Sequence, residues 1–152
     1  YQLLRGNNVF NFSFDFDKNY SVSKTNPEFS ELVDWAKQFK GKLFIVPIDG
    51  RNDFVYFRYL TKNGIYANID DLGQLTYSPK DLFEGYRRME YLGFEIRNSG
   101  ELDFSGYGSI SLDKLRSTGA DFAIFDKRSP GFVRKNEKPV FETDRYVVFE
   151  LR

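Results

Sequence analysis

The residues best placed to do chemistry in this chain are mostly acidic and fall where strands are expected to end. Asp49, Arg51 and Asp53 follow the apolar run KLFIVPI, Asp70 and Asp71 follow IYANI, and Asp126, Lys127 and Arg128 follow ADFAIF. In an open α/β sheet, ligands bind beyond the carboxyl ends of the strands, so these groups would gather on one edge. Paired carboxylates there would suit acid–base chemistry on a sugar or the binding of a divalent cation. Asp at a strand exit is equally the ordinary way to start a loop or cap a helix, and each one taken singly fits that role. Arg58, between Phe57 and Tyr59, fits a pair with Asp70 or Asp71, or a bound anion. The candidate ligand-binding set is therefore Asp49, Arg51, Asp53, Arg58, Asp70 and Asp71. No residue is assigned to catalysis, to a cofactor or to a metal. Asp126 is expected to be a structural strand-exit residue with Lys127 and Arg128 as its counter-charges. Its replacement by Asn should then cost at most about 1 kcal/mol, the scale of one cap or one exposed ion pair.

Composition narrows the chemistry further. The chain has no Cys and no His, which removes thiolate nucleophiles, disulfides, the commonest general base and any Ser-His-Asp triad within it. Basic and acidic residues balance at 22 each, without the basic footprint of a nucleic-acid binder. A small local basic site is compatible with that balance. DGRND (49–53) lacks the spacing of a calcium loop. SGYGS (105–109) lacks the lysine and helix placement of a phosphate loop, and reads with the preceding NSGELDF as a turn-rich surface loop.

The elements that must position these residues follow from periodicity. VFNFSFDF (9–16) alternates strictly, with Phe10, Phe12, Phe14 and Phe16 on one side, as in a strand with one buried face. A helix starts at Thr25 or Asn26 with Pro27 in its first turn, carries Phe29, Leu32, Val33, Ala36 and Phe39 on one face, and ends at Gly41. KLFIVPI is a buried strand. A short helix over 54–62, capped by Asp53 and closed by Asn63–Gly64, is expected next, with a strand as the alternative. IYANID is another strand. A helix capped by Ser78, with Pro79 first, carries Leu82, Phe83, Tyr86, Met89, Tyr91 and Leu92 as its apolar stripe and stops at Gly93. A short helix capped by Ser109 or Ser111 ends at Gly119. ADFAIFD is a buried strand, and KPVFETDRYVVFELR a hairpin turning near Thr143–Asp144–Arg145. The 152 residues make one α/β domain: an N-terminal Phe-rich strand segment (1–24) and a core (25–152). Its expected fold is three-layered, a mostly parallel sheet with helices on both faces and a C-terminal antiparallel hairpin.

Three stretches carry a resemblance: EFSELVDWAKQFKGKLFIVPIDGRNDFVYFRYLTKNGIYANID, LFEGYRRMEYLG, and SLDKLRSTGADFAIFDK with PVFETDRYVVFELR. In type and spacing they resemble the soluble C-terminal domain of polytopic, glycosyltransferase-like bacterial membrane proteins, over about residues 28–152. The Phe-rich strand lies outside that pattern. The resemblance implies an extracytoplasmic domain on the bacterial cell membrane, whose parent carries membrane helices before Tyr1. Catalysis in such parents belongs to acidic residues between membrane helices, so the domain would be a non-catalytic accessory without a cofactor. Its partners would be the transmembrane portion of the same chain and a glycan or lipid-linked sugar. Starting at Tyr1, the chain reads as a fragment or processed product of that parent. Two alternatives stay open: a soluble carboxylate-based enzyme acting on carbohydrate, and an interaction module docking through Phe10–Phe16 and the aromatic segment 54–59.

Overall fold

The computed structural model describes residues 26–48, 54, 56–69, 78–97 and 101–152, and the expected Phe10–Phe16 strand lies outside them. Helix α1 (Pro27–Ala36) begins where capping chemistry places it: Asn26 Oδ1 accepts the Phe29 N–H at 3.1 Å, and Pro27 opens the first turn. Phe29, Leu32, Val33 and Ala36 form its buried face. Asn26 also donates from Nδ2 to the Tyr146 hydroxyl at 3.2 Å, tying the helix start to the far end of the chain. Strand β1 (Leu43–Ile45) follows, with Val46 and Ile48 buried beyond it.

Helix α2 (Phe57–Thr61) is shorter than the expected 54–62, and it closes differently. Lys62 takes the left-handed conformation (φ 61°) and Gly64 is already in strand β2 (Gly64–Ile65). Asn63 turns inward between them. Its Oδ1 accepts the Lys42 N–H at 3.1 Å and its Nδ2 donates to the Ala36 carbonyl at 2.9 Å, with the residue 2% exposed. One amide thus joins the end of α1, the approach to β1 and the start of β2.

Helix α3 (Pro79–Tyr91) stands as expected, although Ser78 occupies the N-cap position without a side-chain cap bond. Its apolar stripe is narrower than its spacing suggests: Met89 and Leu92 are fully buried, whereas Phe83 faces out at 65% exposed, near Arg87. Strands β3 (Glu95–Ile96) and β4 (Leu102–Asp103) pair antiparallel in a small separate sheet. The short helix α4 (Gly106–Ser109) comes next, then α5 (Leu112–Arg116), capped by Ser111 Oγ accepting the Lys114 N–H.

The stretch 98–109, read as a surface loop, thus holds β4 and α4. Gly106 and Gly108 in it serve close backbone packing. A Cβ on Gly108 would lie 2.6 Å from the Phe132 nitrogen, and one on Gly106 would lie 2.5 Å from the Gly93 carbonyl oxygen. Tyr107 between them is buried, stacks on Phe125 with ring centroids 5.0 Å apart, and donates its hydroxyl to the Ile124 carbonyl at 2.6 Å. Burial pushes its phenol well above the ordinary range.

The last elements are β5 (Phe122–Asp126), β6 (Phe141–Glu142) and β7 (Tyr146–Glu150). The five-stranded sheet runs β2-β1-β5-β7-β6. β1 pairs in parallel with β2 and β5, and β7 pairs antiparallel with β5 and β6, so the sheet is mixed. Pleat alternation divides the core. Phe122, Ile124 and Val148 join residues of α1 and α2, while Ala123, Phe125, Val147 and Phe149 join Met89, Leu92, Leu112 and Leu115. Asp121 locks β1 beside β5 by accepting the Leu43 N–H at 2.9 Å and the Lys42 ammonium at 3.1 Å.

Two outcomes follow. Asn63→Ala strands the Lys42 N–H and removes one of two donors to the Ala36 carbonyl, which keeps the Phe39 N–H at 3.1 Å; it should cost about 1–2 kcal/mol, read as a lower urea midpoint at unchanged slope. Asp103 is held at about 2, below its ordinary 3.8, first by the Ser105 backbone N–H, then by the Ser105 hydroxyl and Arg97. Its folded value is depressed, so its contribution to stability is whole above the unfolded value and is lost as pH falls from about 4 toward 2. Asp103→Asn should remove that step from the pH profile of stability.

Candidate ligand cleft

Of the sequence-derived candidates, Asp49, Arg51, Asp53, Asp70 and Asp71 lie outside the described residues. Arg58 sits half-buried on α2. In the aromatic segment beside it, Phe54 and Phe57 are buried, at 5.2 Å from the Phe29 ring and 5.3 Å from the Phe44 ring respectively. They belong to the core and cannot form a docking face, which leaves Tyr59 exposed.

Asp126 closes β5 and is structural, but its partner is not the one its neighbours suggest. Arg145 Nε donates to Asp126 Oδ2 at 2.8 Å, and the Arg128 backbone N–H donates to Oδ1 at 2.8 Å. The side chains of Lys127 and Arg128 point elsewhere, to Glu142 and Glu28, both at 3.1 Å. Asp126 is 2% exposed, and the Arg145 side chain is only 12% exposed. The pair is therefore a buried one, and the cost expected of an exposed ion pair is an underestimate.

A cleft of about 200 Å³ opens where the segment after β5 folds back over β7. Phe132, Val147 and Phe149 line it with apolar surface, and Lys127, Arg134 and Lys135 bring positive charge to it. It adjoins a shallower depression of about 260 Å³, lined by Ser109, Ser111 and Asn136, and the two share Arg134, Lys135 and Glu137. The scaffold that shapes this wall is the tight crossing at Gly108. The Gly108 carbonyl accepts the Val133 N–H at 3.1 Å and the Lys135 ammonium at 2.9 Å. The same ammonium stands 4.6 Å from the centre of the Phe125 ring, a cation–π contact. Burial lowers the Lys135 pKa.

Charge around the cleft is unevenly spent. Glu142 is paired with Lys127 at 3.1 Å and Glu137 with Arg116 at 2.6 Å. Lys135 is bonded to a neutral carbonyl, and Arg134 is exposed and makes no ion pair among the described residues. Two cations thus face the cleft without a bound carboxylate. Among the described residues no three His, Cys, Asp or Glu side chains are grouped as metal ligands would be, and no helix is long and apolar enough to cross a membrane.

The cleft residues escaped sequence reasoning because balance of total charge hid a local imbalance. Residues 127–138 carry five basic side chains against one acidic, interrupted by Pro130–Gly131. That cluster was the available signal. Compared with protein-family models, with curated proteins and with solved structures, the chain shows no match.

Replacing Asp126 with Asn keeps the size of the side chain but removes the buried carboxylate to which Arg145 Nε donates. A loss of about 3 kcal/mol or more is expected, against the 1 kcal/mol of an exposed pair, measured by chemical denaturation. Arg145→Met in the Asp126→Asn background should recover part of it, because the guanidinium that lost the Asp126 charge is then gone as well.

Proposed function

We propose that this chain is a non-catalytic accessory domain of a membrane-anchored glycosyltransferase-like protein, placed outside the cytoplasmic membrane, that binds a glycan or lipid-linked sugar. The observation that carries the binding half of this reading is the cleft over β7. Its carboxylates are already held by cations, while two of its own cations are left for a ligand. Such a wall is suited to holding a molecule, and less so to acid–base work, which needs a carboxylate able to exchange a proton with the substrate. The membrane half rests on the resemblance over residues 28–152. In this reading the sheet is the middle of three layers, with helices on both faces and the β6–β7 hairpin at one edge.

The carboxylate-enzyme alternative loses Asp126, whose two oxygens are engaged by Arg145 and the Arg128 N–H. The test of the membrane half is a topology fusion in the parent gene. Alkaline phosphatase joined after Arg152 should be active, since that enzyme matures only outside the cytoplasm, and the gene should encode several apolar segments of about 20 residues before Tyr1. An inactive fusion, or a parent without such segments, overturns the assignment.

A further inference from the structure

Resting on the binding role proposed above, we infer that the cleft recognises an acidic saccharide, a sugar unit bearing a carboxylate or a phosphate, with the anion between Arg134 and Lys135 and the ring against Phe132. Three features of the site point to this class. The first is charge: Arg134 and Lys135 are the two cations there that no carboxylate holds among the described residues. Guanidinium offers a planar fork of donors to a carboxylate or phosphate, and an ammonium beside it adds a second charge-assisted bond. The second is size. At about 200 Å³ the cleft is smaller than the roughly 300 Å³ at which pockets for drug-sized ligands begin, so it suits a single sugar unit with its acidic group and no larger rigid body.

The third is what lies next door. The adjoining depression is lined by Ser109, Ser111 and Asn136, which are hydroxyl and amide groups suited to sugar hydroxyls. Ser111 Oγ accepts the Lys114 N–H and keeps its own proton to donate. Because the cleft and the depression share Arg134, Lys135 and Glu137, a second sugar unit can continue from one into the other. The half-buried Phe132 provides an apolar surface for the C–H face of a sugar ring beside the anion. Lys135 is already fixed for this task by the Gly108 carbonyl and the Phe125 ring, so little ordering is needed on binding. An anion arriving beside it would also offset the burial that depresses its pKa.

The test is titration of the isotope-labelled 152-residue chain with glucuronate, glucose 6-phosphate, glucose and inorganic phosphate, followed by the amide signals of residues 132–138 and the Lys135 side chain. Both acidic sugars should shift these signals saturably and raise the Lys135 pKa. Glucose and inorganic phosphate should bind at least about tenfold more weakly, since each lacks one half of the recognised chemistry. Arg134→Gln, at an exposed position without an ion pair, should leave the unfolding midpoint unchanged and weaken both acidic sugars at least about tenfold. Lys135→Gln should weaken them to a similar degree. Equal binding of glucose, equal binding of inorganic phosphate, or unaltered affinity in Arg134→Gln would each overturn the inference. No saturable shift with either acidic sugar would overturn it too, and with an active phosphatase fusion would leave the membrane assignment standing. Saturable binding with an inactive fusion would support the cleft and remove the membrane assignment alone.

Discussion

Everything described here hangs on the burial of β5 from both sides. A strand with β1 on one flank, β7 on the other and all five residues buried has no polar face to give to solvent. Its alternate residues must therefore feed two separate cores, and they do: Phe122 and Ile124 serve one, Ala123 and Phe125 the other. That demand explains the density of aromatic rings. Trp35 of α1 packs edge-on against Phe122 at 5.6 Å on one face, while Tyr107 stacks on Phe125 at 5.0 Å on the other, so rings cover the strand on both faces. It also explains why Asp126 needs Arg145. A carboxylate at the end of such a strand is taken out of water with the rest, and a charge so placed survives only with a fixed counter-charge.

The cleft is a by-product of the same packing. Phe125 belongs to the core, yet its ring lies beneath the Lys135 ammonium. Gly108 supplies the other hold on that ammonium, and it can do so only because nothing but a hydrogen stands between its backbone and that of Phe132. Core and cleft therefore share atoms. A change at Gly108 would be felt first as a packing fault and only then as a change in the binding wall.

Local signals were legible in the sequence where one residue decides one structure. The helix starts narrow to Thr25 or Asn26 and to Ser109 or Ser111, of which Asn26 and Ser111 cap, and the apolar run of β5 stands out, because capping residues and apolar runs are patterns within a few residues. What stayed hidden depends on partners far along the chain. Asn63 looked like a helix stop and is instead a cross-link to Ala36 and Lys42, set by tertiary contacts that no local pattern encodes. Asp126 seemed matched to Lys127 and Arg128, but strand geometry points those side chains away, and Arg145 reaches it through β5–β7 pairing. The glycines of SGYGS looked like loop punctuation, because close approach to Phe132 and Gly93 is visible only in three dimensions. For the same reason the cleft, drawn from β7 and from the segment between Lys127 and Glu142, was foreshadowed only by its local charge.

The strand order carries a consequence for how the chain reaches this state as it is made. β7 is the latest described strand in sequence, yet it stands inside the sheet, between β5 and β6. A ribosome releases residues in order, so α1, β1, β2 and β5 emerge with one flank of β5 unpaired and both cores open. Until Tyr146 to Phe149 arrive, that flank is an apolar edge able to pair with any extended segment nearby. The domain is thus obliged to fold late and all at once. The time between the synthesis of β5 and of β7, some twenty residues, is when it is most exposed to mispairing and to capture by chaperones.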